Sequence, residues 1–547
     1  MEGIRLVIVF LFVLVLGSVQ GQSKYAIHYK YKPQSTYSLD RPQEFLTVKA
    51  IERRERYAIP LDSMDLPVSE KYIEEISELT ESILYHISWF NASLVVATET
   101  QIEEIEALDF VDKVVYAAPI IGNGARLIQK IKKGFNLKLN LKNAKTTSNV
   151  YDFQNGLLGF QEMHELGFKG EGITIAVFDA GFPDVNNIAA FSHLFENQRV
   201  IGGKDFVDLN NQNIFFKNQH GMNVLSVIAS NKPGELVAGA PNANYILCIT
   251  EDTSSEYRIE EYNWVKAATY ADSLGVDIIN SSLGYFDFDD SAMDYNILDL
   301  NGQTAIITLG ANIAQGKGIL VVTSAGNYGS LGESTITAPA DAQGILSIGA
   351  VNSSLERAGF SSRGPTSDGR IKPELSTLGQ GVYIYVRPNI SVSQSSGTSF
   401  SAPQITALAA GLWQAKREWT KDELIDALIQ SGSQYDSPNN ELGYGIPNFS
   451  RAYFGEVLSI ENSESEIKWK VFPNPLEGSI INVEFGNSLE ASFLLINSTG
   501  SILLSGEINR KSSHNPFEIT APNLPVGVYV LEVRDATIVR RIKLIKK

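Results

Sequence analysis

The chain has 547 residues, of which 44% are hydrophobic and 20% are charged, and this composition excludes wholesale disorder. Its net charge of −17 argues against nucleic-acid binding, because phosphate contacts need clustered lysine and arginine. The single cysteine, Cys248, excludes an intramolecular disulfide and any metal site built from several cysteines.

The first element is a run of apolar residues, Leu6 to Leu16, which follows Arg5 and precedes small residues. This pattern predicts a secretory signal peptide over residues 1–21, cut after Gly21. The run is too short to span a bilayer, and a short buried helix or strand is the alternative. No cysteine follows for a lipoprotein anchor, and no later stretch predicts a transmembrane helix. We therefore expect export through the periplasm.

Residues 22–118 mix strands and helices. Apolar patterns predict strands at 25–31 and 93–97, and helices at 69–79 and 100–108. The segment 119–150 is basic, with seven lysines and arginines and no acidic residue between 120 and 150. Such a stretch is typical of an exposed connector that is open to proteolysis.

Residues 151–455 alternate apolar strands with helical patterns, which predicts an α/β fold with a parallel sheet and helices on both faces. The strand at 173–178 is apolar on both faces, as a central parallel strand should be, and it is followed by Asp179. Carboxyl ends of such strands are where α/β sheets hold their sites. A turn or capping aspartate is the alternative.

Three further positions join this candidate. His220 stands beside Gly221 at the start of a predicted helix, where it is either a base or a buried structural histidine. Ser399 precedes a helix of small residues, and is either an N-cap or a nucleophile whose N–H helps to hold an oxyanion. Asn327 ends the strand that begins at Val321, and is either a turn residue or a second oxyanion donor.

In the order Asp, His, Asn, Ser, these motifs resemble those of the subtilisin-like serine proteases, the subtilases of peptidase family S8. The resemblance covers about residues 155–455, and its motifs are Asp179-Ala-Gly, His220-Gly, Ala240-Pro, Asn280-Ser-Ser-Leu-Gly, Ala325-Gly-Asn and Gly397-Thr-Ser-Phe-Ser-Ala-Pro. It implies a subtilisin-like fold, a serine endopeptidase, and protein or peptide substrates, with no cofactor required for the chemistry.

The resemblance also implies roles for individual residues. Ser399 would be the nucleophile, His220 the general base and Asp179 its orienting partner, while Asn327 and the Ser399 N–H would form the oxyanion hole. The residues implied in substrate binding are Ser282, Leu283, Gly284, Ala325 and Gly326.

Departures from the family pattern leave a second function open. Ala180 replaces a hydroxyl residue, and Met222 and Asn223 replace the usual Thr-His. An inactive subtilase scaffold acting as a surface binding or adhesion protein is therefore the alternative. An α/β-hydrolase is disfavoured, because its histidine follows the serine and the sole histidine after Ser399 is His514.

An acidic loop follows Gly284. It contains four carboxylates, those of Asp287, Asp289, Asp290 and Asp294. They could bind a structural Ca²⁺ ion or attract basic substrates. The spacing lacks an EF-hand pattern, however, and a solvated loop is the simpler interpretation. The sequence assigns no metal ligand.

The flanking blocks carry resemblances of their own. Residues 45–56 and 88–91 are similar to prosegments of subtilases from the Bacteroidetes, which implies that 22–118 is an α+β propeptide domain. An unrelated N-terminal domain is the alternative.

After a polar linker at 456–470, residues 471–547 form short predicted strands, which favours a small β-sandwich. Val471-Phe-Pro-Asn-Pro and the ending Arg540–Lys547 resemble a C-terminal sorting domain of the type IX (Por) secretion system. That implies the secretion machinery as a partner and a secreted or outer-membrane surface location. A carbohydrate-binding or spacer domain is the alternative.

Overall fold

The computed structural model describes residues 21–33, 36–120, 149–455, 469–485, 488–497, 502–512, 515–535 and 539–547. The predicted signal peptide, most of the basic connector and most of the linker at 456–470 lie outside these residues, so those expectations stay predictions. The chain divides into two compact units. The first comprises residues up to 38 together with 63–132, and the second comprises 39–62, which contain helix α1 (Val48–Arg56), together with 133–547.

The first unit contains a four-stranded antiparallel sheet and two helices. Its elements are β1 (Ser23–Tyr29), α2 (Glu70–Leu79), β2 (Ser82–Ile87), β3 (Ala92–Ala97), α3 (Glu99–Glu106) and β4 (Val111–Pro119), and the strand order is β2–β3–β1–β4. The helices bury apolar residues such as Ile76 and Ile105 in one core with Ile27 and Val95 of the sheet. The α+β class expected for this block is confirmed, while β2 and β4 were not predicted.

The second unit is organised around a seven-stranded parallel sheet of order β13–β12–β11–β10–β5–β9–β6. The strands of residues 149–455 are β5 (Thr174–Asp179), β6 (Val200–Asp205), β7 (Asn231–Lys232), β8 (Leu236–Val237), β9 (Asn244–Ile249), β10 (Ile278–Ser281), β11 (Leu320–Ser324), β12 (Leu346–Val351), β13 (Leu375–Leu378), β14 (Gln380–Val386) and β15 (Ser391–Ser396). The last two form an antiparallel hairpin.

Helices cover both faces of this sheet. They are α4 (Asp152–Leu158), α5 (Phe160–Glu165), α6 (Ser192–Glu196), α7 (His220–Ala229), α8 (Ile259–Ser273), α9 (Ile306–Gly316), α10 (Thr398–Ala415), α11 (Lys421–Gln430) and α12 (Phe449–Phe454). Along β5, Ile175 and Val177 share a core with residues of α7 and α10, whereas the ring of Phe178 packs edge-on against Trp264 of α8. Successive strand residues point to opposite faces, so a strand covered on both sides must be apolar throughout.

The C-terminal block is rich in strands, as predicted. Its two antiparallel sheets consist of β16 (Trp469–Phe472), β17 (Ile480–Phe485), β18 (Glu490–Asn497), β19 (Ile502–Asn509), β20 (Phe517–Thr520), β21 (Gly527–Arg534) and β22 (Val539–Lys546). One apolar core joins them, with Ile481 and Phe485 from the first sheet and Phe493 and Leu531 from the second. Two sheets closed over one core form a β-sandwich. Among the helices that the structure describes, none is long and apolar enough to cross a membrane.

Candidate active site

The site is built at the carboxyl edge of the parallel sheet. Asp179 is the last residue of β5 and is completely buried. His220 is the first residue of α7, and its Nδ1 lies 2.9 Å from Asp179 Oδ1 and 3.0 Å from Oδ2. Because an ionised carboxylate only accepts hydrogen bonds, this contact places a proton on Nδ1 and leaves Nε2 as the acceptor of a neutral ring.

A glycine permits the close approach of α7 to β5. A Cβ atom on Gly221 would stand 2.4 Å from the Gly181 carbonyl oxygen and 2.9 Å from Asp179 Cβ. Such distances are far below van der Waals contact, so any larger residue would push the helix start away from the carboxylate. The hydrogen bond between His220 and Asp179 therefore requires a glycine at position 221.

Asp179 and His220 perturb each other electrostatically. Burial alone would lower the pKa of His220. The negative charge of Asp179, and the hydrogen bond that its carboxylate accepts from the ring, outweigh burial and raise the pKa above 6.5. Ala180 cannot offer a hydroxyl, yet its backbone N–H donates to Asp179 Oδ1 at 2.7 Å. The carboxylate thus keeps hydrogen-bond donors from the backbone and from the imidazole.

Ser399 is the second residue of α10 and is partly exposed. In the described part of the chain its hydroxyl donates to the Ser282 carbonyl at 3.3 Å, and the ring of His220 is not among its partners. That ring lies 5.9 Å, centroid to centroid, from the ring of the adjacent Phe400. The serine and the histidine are therefore neighbours in the fold, without a direct hydrogen bond between them. Such contacts are often loose without substrate.

A chain of hydrogen bonds fixes the turn that carries Ser399. Thr406 of α10 donates to Asn280 Oδ1 at 2.8 Å, and Asn280 Nδ2 donates to Ser282 Oγ at 3.3 Å. Ser282 Oγ donates in turn to the Ser399 carbonyl at 2.9 Å. The Asn280-Ser-Ser motif is thus a buried link between β10 and the start of α10.

Asn327 is exposed, and its side chain is held in one orientation. Its Oδ1 accepts hydrogen bonds from the N–H and the hydroxyl of Thr398, both at 3.0 Å. The oxygen is therefore engaged, which leaves the NH₂ group as the donor of this side chain; a Cβ atom built on Gly397 would stand 3.9 Å from Nδ2. Thr398 was not among the predicted site residues.

The predicted substrate-binding residues form two neighbouring edges. Ser324, which precedes Ala325, donates to the Leu283 carbonyl at 3.1 Å and so ties the two edges together. Thr337 lies against both, since its Oγ1 would be 2.2 Å from a Cβ on Gly284 and 2.8 Å from one on Gly326. This hydroxyl is buried and has no hydrogen-bond partner among the described residues. The two glycines leave room for it, and the sequence analysis missed it.

A second buried acid stands at the same edge of the sheet. Glu251 follows β9, in which Ile249 pairs with Asp179, and it accepts hydrogen bonds from Tyr285 and, at 3.0 Å, from Thr250. Burial raises the pKa of Glu251, and the charge of Asp179 adds to that effect. The same rule that selected Asp179, a carboxylate at a strand end, would have found it.

Two groups of carboxylates bear on metal binding. Glu251, Glu256 and Glu260 bring one oxygen each within 4.8 Å of one another, an arrangement that could hold a cation. The carboxylates of the acidic loop accept hydrogen bonds, one within the loop, from Phe288 N to Asp294 at 2.7 Å, and one from outside it, from Tyr328 Oη to Asp287 at 2.6 Å. Calcium binding by this loop stays a prediction.

The remaining departures from the family pattern have structural explanations. Met222 is fully buried in the main core. Asn223 donates to the Tyr385 carbonyl and so connects α7 to the hairpin strand β14. Among the described residues, the hydrogen bonds of the Asp179 carboxylate come from Ala180 and His220 and not from Asn223.

We predict that the pKa of His220, measured by NMR of labelled imidazoles in a Ser399→Ala protein, exceeds 6.5. Asp179→Asn should lower it, because the charge that favours the imidazolium is removed while burial remains. His164 is the internal control: burial lowers its pKa, its ring bonds the Gly239 carbonyl, and the substitution should leave it unmoved. A His220 pKa that does not change in Asp179→Asn would contradict the coupling.

Comparisons with known proteins agree with this architecture. A family model described as the subtilase family matches residues 170–445, a model of the peptidase S8 propeptide domain of Bacteroidota matches 24–132, and a model of a secretion system C-terminal sorting domain matches 470–547. The N-terminal block is thus a propeptide domain. The last block is a sorting domain of the type IX system, which directs export to the cell surface or beyond.

Individual relatives cover the same region. Subtilisin E from Bacillus subtilis (strain 168) is 30% identical over 299 residues, which are 53% of this chain and 68% of the relative. Subtilisin from Bacillus pumilus is 29% identical over 299 residues, 53% of this chain and 94% of the relative. The solved structure of MycP1 from Mycobacterium smegmatis is 19% identical with a TM-score of 0.43, covering 58% of this chain and 88% of that one. Since the subtilase model spans half of the chain, the chain belongs to the subtilase family of serine proteases.

Proposed function

We propose that the chain is the precursor of an exported endopeptidase that cleaves peptide bonds through Asp179, His220 and Ser399 and a covalent acyl-enzyme. The observation that carries this proposal is the buried Asp179 carboxylate holding His220 beside a serine at the start of a helix. The family membership supports the reaction class.

The chemistry follows from the protonation states. Ser399 Oγ attacks the carbonyl carbon of the scissile bond while its proton passes to His220 Nε2, and Asp179 stabilises the imidazolium that forms. The same proton then goes to the leaving amine as the C–N bond breaks, which leaves Ser399 as an ester. Water, deprotonated by His220, hydrolyses that ester and restores the hydroxyl. These steps need no metal and no organic cofactor.

The developing oxyanion would be held by two donors. The Asn327 amide is oriented by Thr398, and the Ser399 N–H stands in the first turn of α10, where helix N–H groups lack intrahelical partners. Because Thr398 and Ser399 are adjacent, one short segment positions the nucleophile and both donors. Donors fixed before the reaction need no reorganisation as charge develops.

Substrate would bind in extended form along the two edges described above, Ser282–Gly284 and Ala325–Gly326. Backbone pairing of this kind is sequence-tolerant, so side-chain pockets must supply selectivity. Gly284 is exposed, and Thr337 stands behind it. We infer that Thr337 limits the depth available to a substrate side chain at this place.

Maturation would remove both flanking blocks. We propose cleavage of the N-terminal block within the connector 119–150 and of the sorting block within 456–470, where a separate sorting protease could make the second cut.

An active enzyme is favoured over an inactive scaffold. The substitutions at Ala180, Met222 and Asn223 each have a structural role, and they leave Asp179, His220, Asn327 and Ser399 in place.

We predict that Ser399→Ala lowers peptidase activity by at least about 10³-fold while the protein stays folded, since triad residues act as a unit. The matched control is Ser401→Ala in the same helix, whose buried hydroxyl makes long hydrogen bonds of 3.4 Å to the Thr377 and Leu378 carbonyls. Its activity should stay within tenfold of the wild type. Hydrolysis of a protein substrate by Ser399→Ala within tenfold of the wild type would refute the assignment.

We predict that Asn327→Ala lowers kcat far more than it changes KM. Loss of the corresponding donor in subtilisin itself costs about 10²–10³ in kcat, and we expect a loss of that order here. Thr398→Val keeps the shape and the N–H but removes one of the two donors that orient Asn327, so its kcat should fall less, with KM unchanged. Steady-state kinetics on one peptide substrate would check both, and a normal kcat for Asn327→Ala would show that other groups hold the oxyanion.

A further inference from the structure

Residues 39–62, here called the clamp segment, pack against the catalytic region inside the second unit. In sequence they lie within the matched propeptide domain, and the flanking residues up to 38 and from 63 belong to the first unit. Its ion pairs with the catalytic region join residues of the second unit. None of the residues in these pairs has a role in the proposed reaction.

The central contact is a buried pair of arginines on one carboxylate. Arg53 and Arg54 of α1 both bond Asp272 in α8; Arg54 Nη2 is 2.7 Å from Asp272 Oδ2, and Arg53 holds Oδ1. All three side chains are 3% exposed. Arg53 also donates to the Val276 carbonyl, which follows the end of α8. Long cationic side chains are seldom buried unless they are paired in this way.

A second ion pair fixes the start of α1. Lys49 Nζ lies 3.0 Å from Asp277 Oδ2, and Arg417 Nη2 lies 2.8 Å from Oδ1 of the same carboxylate. Lys49 also bonds the hydroxyl of Thr174. Asp277 precedes β10 and Thr174 begins β5, so this contact is at the amino edge of the sheet.

Backbone fit completes the contact. Thr47 N donates to the Ser273 carbonyl at 2.9 Å, and at the other end of the segment Lys317 pairs with Asp62 at 3.1 Å. Gly275 has a φ of +77°, and a Cβ there would stand 2.7 Å from Ala50 N. The segment is therefore held at Thr47, along α1 and at Asp62, and the missing side chain of Gly275 leaves room for the helix backbone.

The clamp segment lies far from the reacting groups. Thr174 and Asp179 are the first and last residues of β5, which at about 3.3 Å per residue puts them roughly 16 Å apart. The ion pairs of Lys49, Arg53, Arg54 and Asp62 join described residues outside 119–150, so a cut in the connector does not break these pairs.

We propose that the clamp segment is a docking element that keeps the severed propeptide domain bound to the protease after the connector is cut. This rests on the proposed maturation. The propeptide domain is covalently joined to both ends of the segment, so holding α1 on α8 retains the whole block. Release of the intact segment returns the arginines and Asp272 to water together, whereas removing one side of the pair leaves the other buried and unpaired. One-sided variants therefore test the proposal most sharply.

The test uses the full precursor carrying Ser399→Ala and a recognition sequence for an added site-specific protease within residues 119–150. After the cut, the dissociation rate of the labelled propeptide fragment is measured on dilution and by size-exclusion chromatography. We expect the fragment to co-elute with the catalytic region, and Arg53→Ala with Arg54→Ala to speed its dissociation at least tenfold. Arg56→Ala is the matched control, because this arginine is on the same helix but exposed, and should change the rate less than twofold.

Equal dissociation rates for the double variant and the wild type would overturn the proposal, as would immediate separation of the wild-type fragment. Asp272→Asn, which keeps the size of the side chain, is the second variant if the double substitution prevents folding, and it should also speed dissociation at least tenfold. Hydrogen exchange on the uncut precursors is the independent readout. Protection of residues 48–56 should fall in either variant while that of α10 persists, and unchanged protection at 48–56 would count against the clamp. Peptidase activity is not measured, so failure here is distinct from failure of the proposed function.

Discussion

The hydrogen bonds between His220 and the buried carboxylate of Asp179 are the constraint on which the site depends. They require a completely buried acid at the end of a strand, a helix that begins at the histidine, and a glycine after it that lets helix and strand approach. The charge of Asp179 raises the pKa of His220 despite burial, which suits a base that must hold a proton during the reaction. At the start of α10, the Asn280–Ser282 link fixes the turn of Ser399, and Thr398 fixes the amide of Asn327.

Much of this arrangement can be predicted from the sequence because parallel strands end at a common edge. Asp179 and Asn327 come at or just after the ends of apolar strands, which favours a common edge of the sheet, whereas the grouping of both with His220 and Ser399 rests on the resemblance to the subtilases. Thr398 and Thr337 could not be found in this way. Both act through contacts with residues that are distant in the chain; Thr398 and Asn327, for example, are separated by 71 positions. No sequence pattern around a threonine indicates such a partner.

The clamp segment shows the same limit at the opposite edge of the sheet. In the sequence, Arg53 and Arg54 belong to a run of charges that is normally a solvated helix face, and only the fold reveals that Asp272, 218 positions further along from Arg54, neutralises them in a buried place. The parallel sheet thus has two distinct edges: the carboxyl ends of the strands carry the proposed catalytic groups, and the amino ends carry the contacts of the clamp segment. Substitutions at one edge can therefore test the proposed reaction, and substitutions at the other edge can test the proposed docking.

Activation of Ser399 by His220 underlies the proposed reaction. A decisive experiment treats the exported protein, recovered from culture medium, with a fluorophosphonate and locates the adduct by peptide mass spectrometry. We expect a single adduct on Ser399 that forms far more slowly in His220→Ala, because without the base the hydroxyl is a weak nucleophile. A folded protein that takes up no label at Ser399, or takes it up equally fast in His220→Ala, would contradict it.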